Sequence, residues 1–116
     1  MPVISPVLSS VAPPDGVPVI TWSGIAPGDT CDPFVVKGQR GLAMSVQISG
    51  TFGGATIAMQ HSNDSTTYAT LADLFGVAVS TTVGNVFEAS SSAVYIRPII
   101  TGGTGSSVVA RLVLRG

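Results

Sequence analysis

The clearest structural pattern in the sequence is residues 42–49, which read LAMSVQIS. Apolar side chains occupy every second position, from Leu42 through Met44 and Val46 to Ile48, and the residues between them are small or polar. Alternation with a period of two is typical of a β-strand that buries one face and turns the other to water or to a partner. The stretch therefore predicts a half-buried strand.

Similar short patterns lie on both sides of this strand, and turn residues separate them. They predict strands over residues 17–22, 34–37, 55–60, 77–82, 85–89, 93–101 and 107–115. Residues 68–74 fit either a short strand or one helical turn, and no stretch shows an amphipathic helix. About seven to nine short strands at roughly ten-residue spacing indicate an all-β sandwich, jelly roll or small barrel.

Glycine and proline refine this interpretation. We expect Gly53-Gly54, Gly84 and Gly102–Gly105 to form hairpin turns, because glycine supplies the positive φ that tight hairpins need. Pro98 interrupts an apolar strand, which predicts an edge position or a bulge there, because proline cannot donate to the ladder. The last strand should turn one face to the core. That face carries Val108, Ala110, Leu112 and Leu114, and the other carries Val109, Arg111, Val113 and Arg115.

The first sixteen residues differ from the rest because prolines stand at positions 2, 6, 13 and 14. Proline fixes φ and lacks a backbone donor, so this stretch is neither a helix nor a central strand. We therefore divide the chain into an extended arm, residues 1–16, and a single β-sandwich domain, residues 17–116. The arm resembles neither a signal peptide nor a membrane anchor. Its aliphatic residues favour an arm lying on another subunit, and a flexible terminus is the alternative.

The charge content is low for a chain of 116 residues. Only 9% of the residues are charged and the net charge is −1, against about 25% charged residues in an ordinary domain. We expect no nucleic-acid partner, because phosphate backbones are bound by basic surfaces. We expect no membrane partner, because no apolar run approaches about 18 residues. Depletion of charge favours a surface covered by partners, and a neutral, hydrated Ser/Thr surface is the alternative.

Residues that could carry chemistry are few. His61 is the single histidine and Cys31 the single cysteine, and nothing in the sequence places them together. We expect His61 to be a strand-end residue bonded to loop backbone, and the protein not to be an enzyme. Asp29 and Asp32 suit a turn better than a calcium site, which needs about six to eight oxygen ligands. No metal or other cofactor is therefore expected.

The sequence also offers candidates for a phosphate-binding loop and for a sugar-binding platform. Gly102–Gly105 is followed by a strand and no lysine, which excludes a phosphate-binding loop. Trp22, Tyr68, Tyr95 and the phenylalanines could form a sugar-binding platform, but their large apolar area favours packing in the core.

Two longer motifs carry a family resemblance. The first is residues 50–64, GTFGGATIAMQHSND, followed by Tyr68 and by Thr70-Leu71. The second is residues 96–105, IRPIITGGTG, which leads into the last strand. Together they resemble a pattern of small bacteriophage virion proteins of the capsid cement or decoration type, which are similar to head-fibre proteins. The match spans roughly residues 42–115, and Ser65 stands where the pattern has glycine.

The resemblance implies a jelly-roll-like antiparallel β-sandwich, often trimeric, that sits on the outer surface of a capsid. We therefore expect a structural protein that is made in the bacterial cytoplasm, assembles as a homotrimer and bridges major capsid proteins. The resemblance carries over no catalytic residues. The predicted contacts to the capsid or to other subunits are the arm residues Pro2, Val3, Ile4, Pro6, Val7 and Leu8, together with Arg97, Arg111 and Arg115. Those arginines could equally be solvated.

The alternative function is a glycan- or receptor-binding module of a head or tail fibre. This alternative predicts exposed aromatic residues around the 62–67 loop and the loop at Asn85.

Overall fold

The computed structural model describes residues 3–10, 18–36, 42–91 and 93–115, and within these ranges the chain forms β-strands and no helix. The strands are β1 (Val3–Ile4), β2 (Val7–Ser10), β3 (Pro18–Ile25), β4 (Thr30–Cys31), β5 (Phe34–Val35), β6 (Leu42–Thr51), β7 (Thr56–Ser62), β8 (Ala69–Thr70), β9 (Ser80–Thr81), β10 (Asn85–Ser91), β11 (Tyr95–Thr101) and β12 (Ser107–Arg115).

These strands form two larger sheets. The first sheet has the order β10-β6-β12-β3-β2, and the second has the order β5-β11-β7-β8, with β9 also paired to β7. Every pairing within the two sheets is antiparallel. Strands β1 and β4 form a separate, parallel pair. The predicted all-β, antiparallel β-sandwich is confirmed.

The core lies between the two sheets and is built by the alternation seen in the sequence. In β6, Met44, Val46 and Ile48 are at most 3% exposed. In β12, the predicted inward face is buried and the residues between are exposed or half-buried. Trp22 is fully buried, as predicted. Its Nε1 donates a 2.8 Å hydrogen bond to the carbonyl oxygen of Asp32, which satisfies the one polar atom that the indole takes into the core.

The predicted hairpins are wrong. Strands β6 and β7, which flank Gly53-Gly54, belong to different sheets, and so do β9 and β10 around Gly84 and β11 and β12 around Gly102–Gly105. Each glycine turn therefore carries the chain across the sandwich, as connections in jelly rolls do. The hydrogen-bond partners come from strands that are distant in sequence, because β6 pairs with β10 and β12, and β7 pairs with β11. A period of two reports which face is buried but not which strand lies alongside.

Pro98 lies at a local edge of the second sheet. Strand β11 pairs with β5 only at Tyr95 and Ile96, and from Arg97 onward the described residues show it paired with β7 alone. A residue without an N–H group is tolerated on that one-sided stretch.

The N-terminal segment contains strands that the sequence did not predict. Within this chain β2 pairs with β3, from Val7 opposite Thr21 to Ser10 opposite Pro18. Strand β1 pairs with β4, which lies outside the predicted strands. The predicted boundary after residue 16 falls outside the described residues. Part of the predicted arm thus completes its own first sheet, and its contact with another subunit stays a prediction.

Candidate interaction surface

The first sheet turns one side away from the core, and we call that side the outer face. Residues directly opposite each other in antiparallel strands share a face, so the strand register defines its rows. One row runs Val86, Gln47, Arg111, Thr21, Val7, and the next runs Glu88, Ser45, Val113, Val19. The outer face therefore carries small, polar and aliphatic side chains and very few charges.

Two charged side chains on the outer face are exposed, Glu88 on β10 and Arg111 on β12. Strand β6 lies between them and their rows are adjacent, so they are separated laterally by about 10 Å, or two strand spacings. Neither makes an ion pair with any residue that the structure describes. Arg115 continues the same strand, but its side chain lies outside the described part of the structure.

An exposed apolar turn borders the outer face beside β10. Leu74 is 63% and Phe75 is 91% exposed, and we call residues 73–77 the apolar turn. The N–H of Leu74 donates a 3.0 Å hydrogen bond to the carbonyl oxygen of Glu88. The backbone of Asp73 forms an antiparallel β-bridge with that of Ala89. The turn therefore extends the edge of the first sheet.

Hydrogen bonds fix the shape of the apolar turn. Oδ1 of Asp73 accepts the N–H groups of Phe75 at 2.8 Å and Val77 at 2.9 Å. The N–H of Asp73 donates to the carbonyl oxygen of Val77 at 2.7 Å, and that of Gly76 donates to the carbonyl oxygen of Asp73 at 3.0 Å. The exposed phenylalanine is thus presented by an ordered turn, which lowers the entropic cost of binding through it.

Further exposed aliphatic residues lie in the same part of the chain. Val77, Val83 and Val86 are between 57% and 63% exposed. Single exposed apolar residues are ordinary, but several of them in one ordered region, with a nearly fully exposed phenylalanine, are typical of an interaction site.

The sequence did not predict this region as a contact surface. Residues 68–74 fit either a strand or a helical turn, and no residue from 72–83 was a predicted contact. The available signal was Leu74-Phe75 between Asp73 and Gly76, two turn-forming residues that place the apolar pair at an exposed tip.

The predicted arm contacts are spread over two places. Pro2 lies outside the described residues. Val3 is 55% exposed in β1, whereas Ile4 is half-buried and packs against the core. Strand β1 is held by β4 and by a 2.9 Å hydrogen bond from the N–H of Asp32 to the carbonyl oxygen of Ile4.

Of the remaining arm residues, Val7 lies on the outer face. Pro6 is half-buried, and Val7 is 64% exposed at the end of the row that contains Arg111. The backbone of Leu8 pairs with Ile20, and its side chain is among those not described. Of the predicted contacts, the structure thus brings Val7 and Arg111 to one surface.

Arg97 lies on the second sheet, apart from that surface. Its guanidinium carbon is 3.7 Å from the centre of the Tyr68 ring, and its Nε donates a 3.1 Å hydrogen bond to Oε1 of Gln60. The side chain is half-buried and fixed by these two contacts. A cation over an aromatic face stabilises the local packing, so Arg97 already has a structural role within the chain.

The 62–67 loop is ordered by a carboxylate. Oδ1 of Asp64 accepts the N–H groups of Thr67 at 2.8 Å and Thr66 at 2.9 Å, and the hydroxyl of Ser62 at 2.9 Å. These bonds lower the pKa of Asp64 to about 2. Ser65 adopts a φ of 63°, the left-handed conformation that glycine would adopt more easily.

His61 joins the two sheets at the end of β7. Its Nδ1 lies 2.8 Å from the hydroxyl of Ser91 on β10. The expectation of a bond to loop backbone was therefore wrong, since the partner is a side-chain hydroxyl on the opposite sheet.

Cys31 lies beneath an open depression of about 200 Å³ that Asp29 and Arg97 also border. Burial raises the pKa of the thiol to about 12, and the nearby carboxylate of Asp29 adds to the effect. Asp29 accepts the N–H of Ala26 through Oδ2 at 2.9 Å, which is the turn-forming role expected of it. No group of three or more His, Cys, Asp or Glu residues with metal-binding geometry occurs in the described ranges.

The two motifs that carry the family resemblance contact each other. The N–H of Thr104 donates a 2.9 Å hydrogen bond to the carbonyl oxygen of Gly53, and the hydroxyl of Ser106 donates to the carbonyl oxygen of Phe52. A side chain at Gly53 would collide with the carbonyl oxygen of Thr104, and one at Gly103 would lie 2.6 Å from Cβ of Ala55. The motifs thus fix the close approach of two turns, which is a structural role.

Comparison with known proteins gives a fold neighbour and no family. No protein-family model matches the chain, and no curated protein matches its sequence. The crystal structure of the SPBc2 prophage-derived protein YomS is similar with a TM-score of 0.60 and 17% identity, covering 84% of this chain and 93% of that one. The K1 cleaved adhesin domain of Lys-gingipain from Porphyromonas gingivalis W83 aligns with a TM-score of 0.41 and 6% identity, over 97% of this chain and 84% of that one. The similarity to YomS shows the sandwich fold.

The part of the chain that the structure describes contains no helix long and apolar enough to cross a membrane.

Proposed function

We propose that this chain is a non-enzymatic bacteriophage structural protein that decorates the capsid and stabilises it by bridging major capsid proteins. The observation that carries the proposal is the outer face, five strands wide, on which Glu88 and Arg111 are the exposed charges among the described side chains. A soluble monomer ordinarily covers such a surface with charged residues of both signs. A neutral sheet face with an ordered apolar turn at its edge fits a surface that partners cover.

The fold neighbour supports the phage origin in this proposal. YomS is described as prophage-derived, and the motifs of residues 50–64 and 96–105 resemble those of small phage virion proteins. The first of these observations concerns the fold and the second concerns the sequence. The proposed location is the outer surface of the virion, after synthesis in the bacterial cytoplasm.

The proposed mechanism is mechanical. Subunits that contact two neighbouring capsid proteins at once add interface area between capsomers, and each added contact must be broken before the shell can open. Contacts made by the outer face would supply apolar burial, and its few charges would set the register more than they would add affinity.

Co-sedimentation tests the proposal. Purified protein is mixed with empty capsids of the phage that encodes it, prepared without this protein, and the capsids are pelleted. We expect saturable binding and capsids that resist heating or chelation better than bare capsids do. Absence of the protein from the pellet at concentrations well above those of the capsid protein would refute the proposed function. Binding to a glycan array without capsid binding would establish the fibre-module alternative in its place.

A further inference from the structure

The outer face has two ends with different chemistry. At the β10 edge, Glu88 is exposed beside the apolar turn, whose Asp73 is a second carboxylate, and no described lysine or arginine lies among residues 72–91. On the other side of β6, the exposed Arg111 lies in a row that ends at the exposed Val7 on β2. One end is therefore acidic and apolar, and the other is basic and apolar.

From this complementarity we infer that the β10 edge of one subunit docks on the β12-β3-β2 part of the outer face of a second copy. Glu88 of one copy then pairs with Arg111 of the next, and Phe75 packs against Val7 of the next. This inference deepens the proposed function, because it names the surface through which copies associate before they bind a shell.

Within a single chain the two charges stay apart. Strand β6 separates them by about 10 Å, and the structure shows no ion pair for either residue within its described ranges. An exposed charge without a partner is ordinary, but here the opposite charges lie on one neutral face, so that one neighbouring copy can pair with Glu88 and another with Arg111. Charges arranged in this way steer association and fix its register.

On each copy the two contact residues lie close together. The N–H of Leu74 donates to the carbonyl oxygen of Glu88, so the apolar turn lies beside Glu88. Arg111 and Val7 lie in one row of the outer face, two strand spacings or about 10 Å apart.

The contact uses different surfaces on the two copies, so it is head-to-tail. Such an interface closes into a ring when the rotation between subunits allows it and otherwise continues into a filament. A closed ring is the form compatible with a capsid-bound particle, and the predicted homotrimer is one such ring.

Charge reversal tests the inference directly. The full chain, Glu88→Arg, Arg111→Glu and the double variant Glu88→Arg/Arg111→Glu are compared by sedimentation velocity over a range of concentrations. We expect each single reversal to weaken self-association at least about tenfold and the double variant to recover most of the loss. Thr70→Arg adds a positive charge at an exposed position of β8, on the other sheet, and should leave association unchanged.

Phe75→Ser is the second test, because it removes the apolar anchor without touching the charges. Phe75 is exposed, so the thermal unfolding of the variant should match that of the wild type, and its self-association should weaken at least about tenfold. A wild-type chain that stays monomeric at high concentration, or a double reversal that assembles no better than the single ones, would overturn the inference. Capsid binding by a monomeric chain would overturn it too, while leaving the proposed function intact.

Discussion

The backbone N–H of Thr104 donates a 2.9 Å hydrogen bond to the carbonyl oxygen of Gly53, joining two turns that lie 51 positions apart in the chain. Each turn carries the chain from one sheet to the other, so their contact holds the sandwich together at one end. The same two turns belong to the motifs that resemble phage virion proteins. What the motifs specify is therefore the closure of the fold, and the interaction surface lies elsewhere.

Replacing Gly53 with alanine should destabilise the fold more than replacing Gly54. Both residues have positive φ, 57° and 84°, so either substitution should cost about 1 kcal/mol of backbone strain. At Gly53 the added Cβ also collides with the carbonyl oxygen of Thr104, whereas at Gly54 it meets nothing within 4 Å. We expect the free energy of unfolding of Gly53→Ala to be at least about 2 kcal/mol lower than that of Gly54→Ala. If urea titrations gave the two variants the same loss in free energy of unfolding, the close contact between the two turns would be contradicted.

Ser65→Gly should stabilise the protein slightly. Ser65 has a φ of 63°, and a left-handed backbone costs a residue with a Cβ about 1–2 kcal/mol. Glycine relieves that strain but loses more entropy on folding, so we expect a net gain of about 0.5 kcal/mol. Ser65→Ala keeps the strain and serves as the matched control, with a change near zero. A loss of stability in the glycine variant would mean that the serine is not strained there.

The sequence predicted the layers of this fold better than its connections. The alternation in residues 42–49 and 107–115 identified the buried faces, because burial on one side of a sheet imposes a period of two. The hairpins predicted at the glycine turns were wrong, because the sequence pattern does not say which sheet the next strand joins. Strands β1 and β4 escaped prediction because two residues are too few to show a period of two, and β2 escaped it because it lies in the proline-rich segment.

The candidate surface was only partly predictable. Val7 and Arg111 were selected from the sequence and do lie on one face, since β2 and β12 both pair with β3. Arg97 was also a predicted contact, but it lies on the other sheet, where its guanidinium stacks on the ring of Tyr68. Leu74 and Phe75 were missed because apolar residues next to an uncertain element look like core, and their exposure follows from the turn that Asp73 organises.

The 62–67 loop should respond to acid through Asp64. The pKa of Asp64 is about 2 in the folded protein against an ordinary value of 3.8, because Thr67 and Thr66 donate backbone N–H groups to its carboxylate and Ser62 donates its hydroxyl. A carboxyl group with a lowered pKa stabilises the fold above its unfolded pKa, and this contribution is lost as the pH falls through the folded pKa. Asp64→Asn should therefore be less stable than the wild type at pH 7.

The stability difference between wild type and Asp64→Asn should shrink between about pH 4 and pH 2. Thermal unfolding of both proteins across this range measures it. A difference that stays constant down to pH 2 would mean that the loop does not hold the ionised carboxylate.

Cys31 should be unreactive in the folded protein. Burial raises its pKa to about 12, so at pH 8 only on the order of one thiol in ten thousand is a thiolate, the reactive form. The residue is also 6% exposed, which limits access by reagents. We expect a thiol-specific dye to label the native protein many times more slowly than the protein in denaturant, and equal rates in the two conditions would contradict the buried position.

The central claim is that the outer face is covered by other proteins in the assembled particle. A cryo-electron microscopy map of the intact virion tests it most directly, because the two sheets can be told apart by their strand orders. We predict density for this chain outside the shell, with Val7, Arg111 and the apolar turn in contact with neighbouring subunits. A map in which the chain is absent from the virion, or is present with the outer face turned to solvent, would contradict the account.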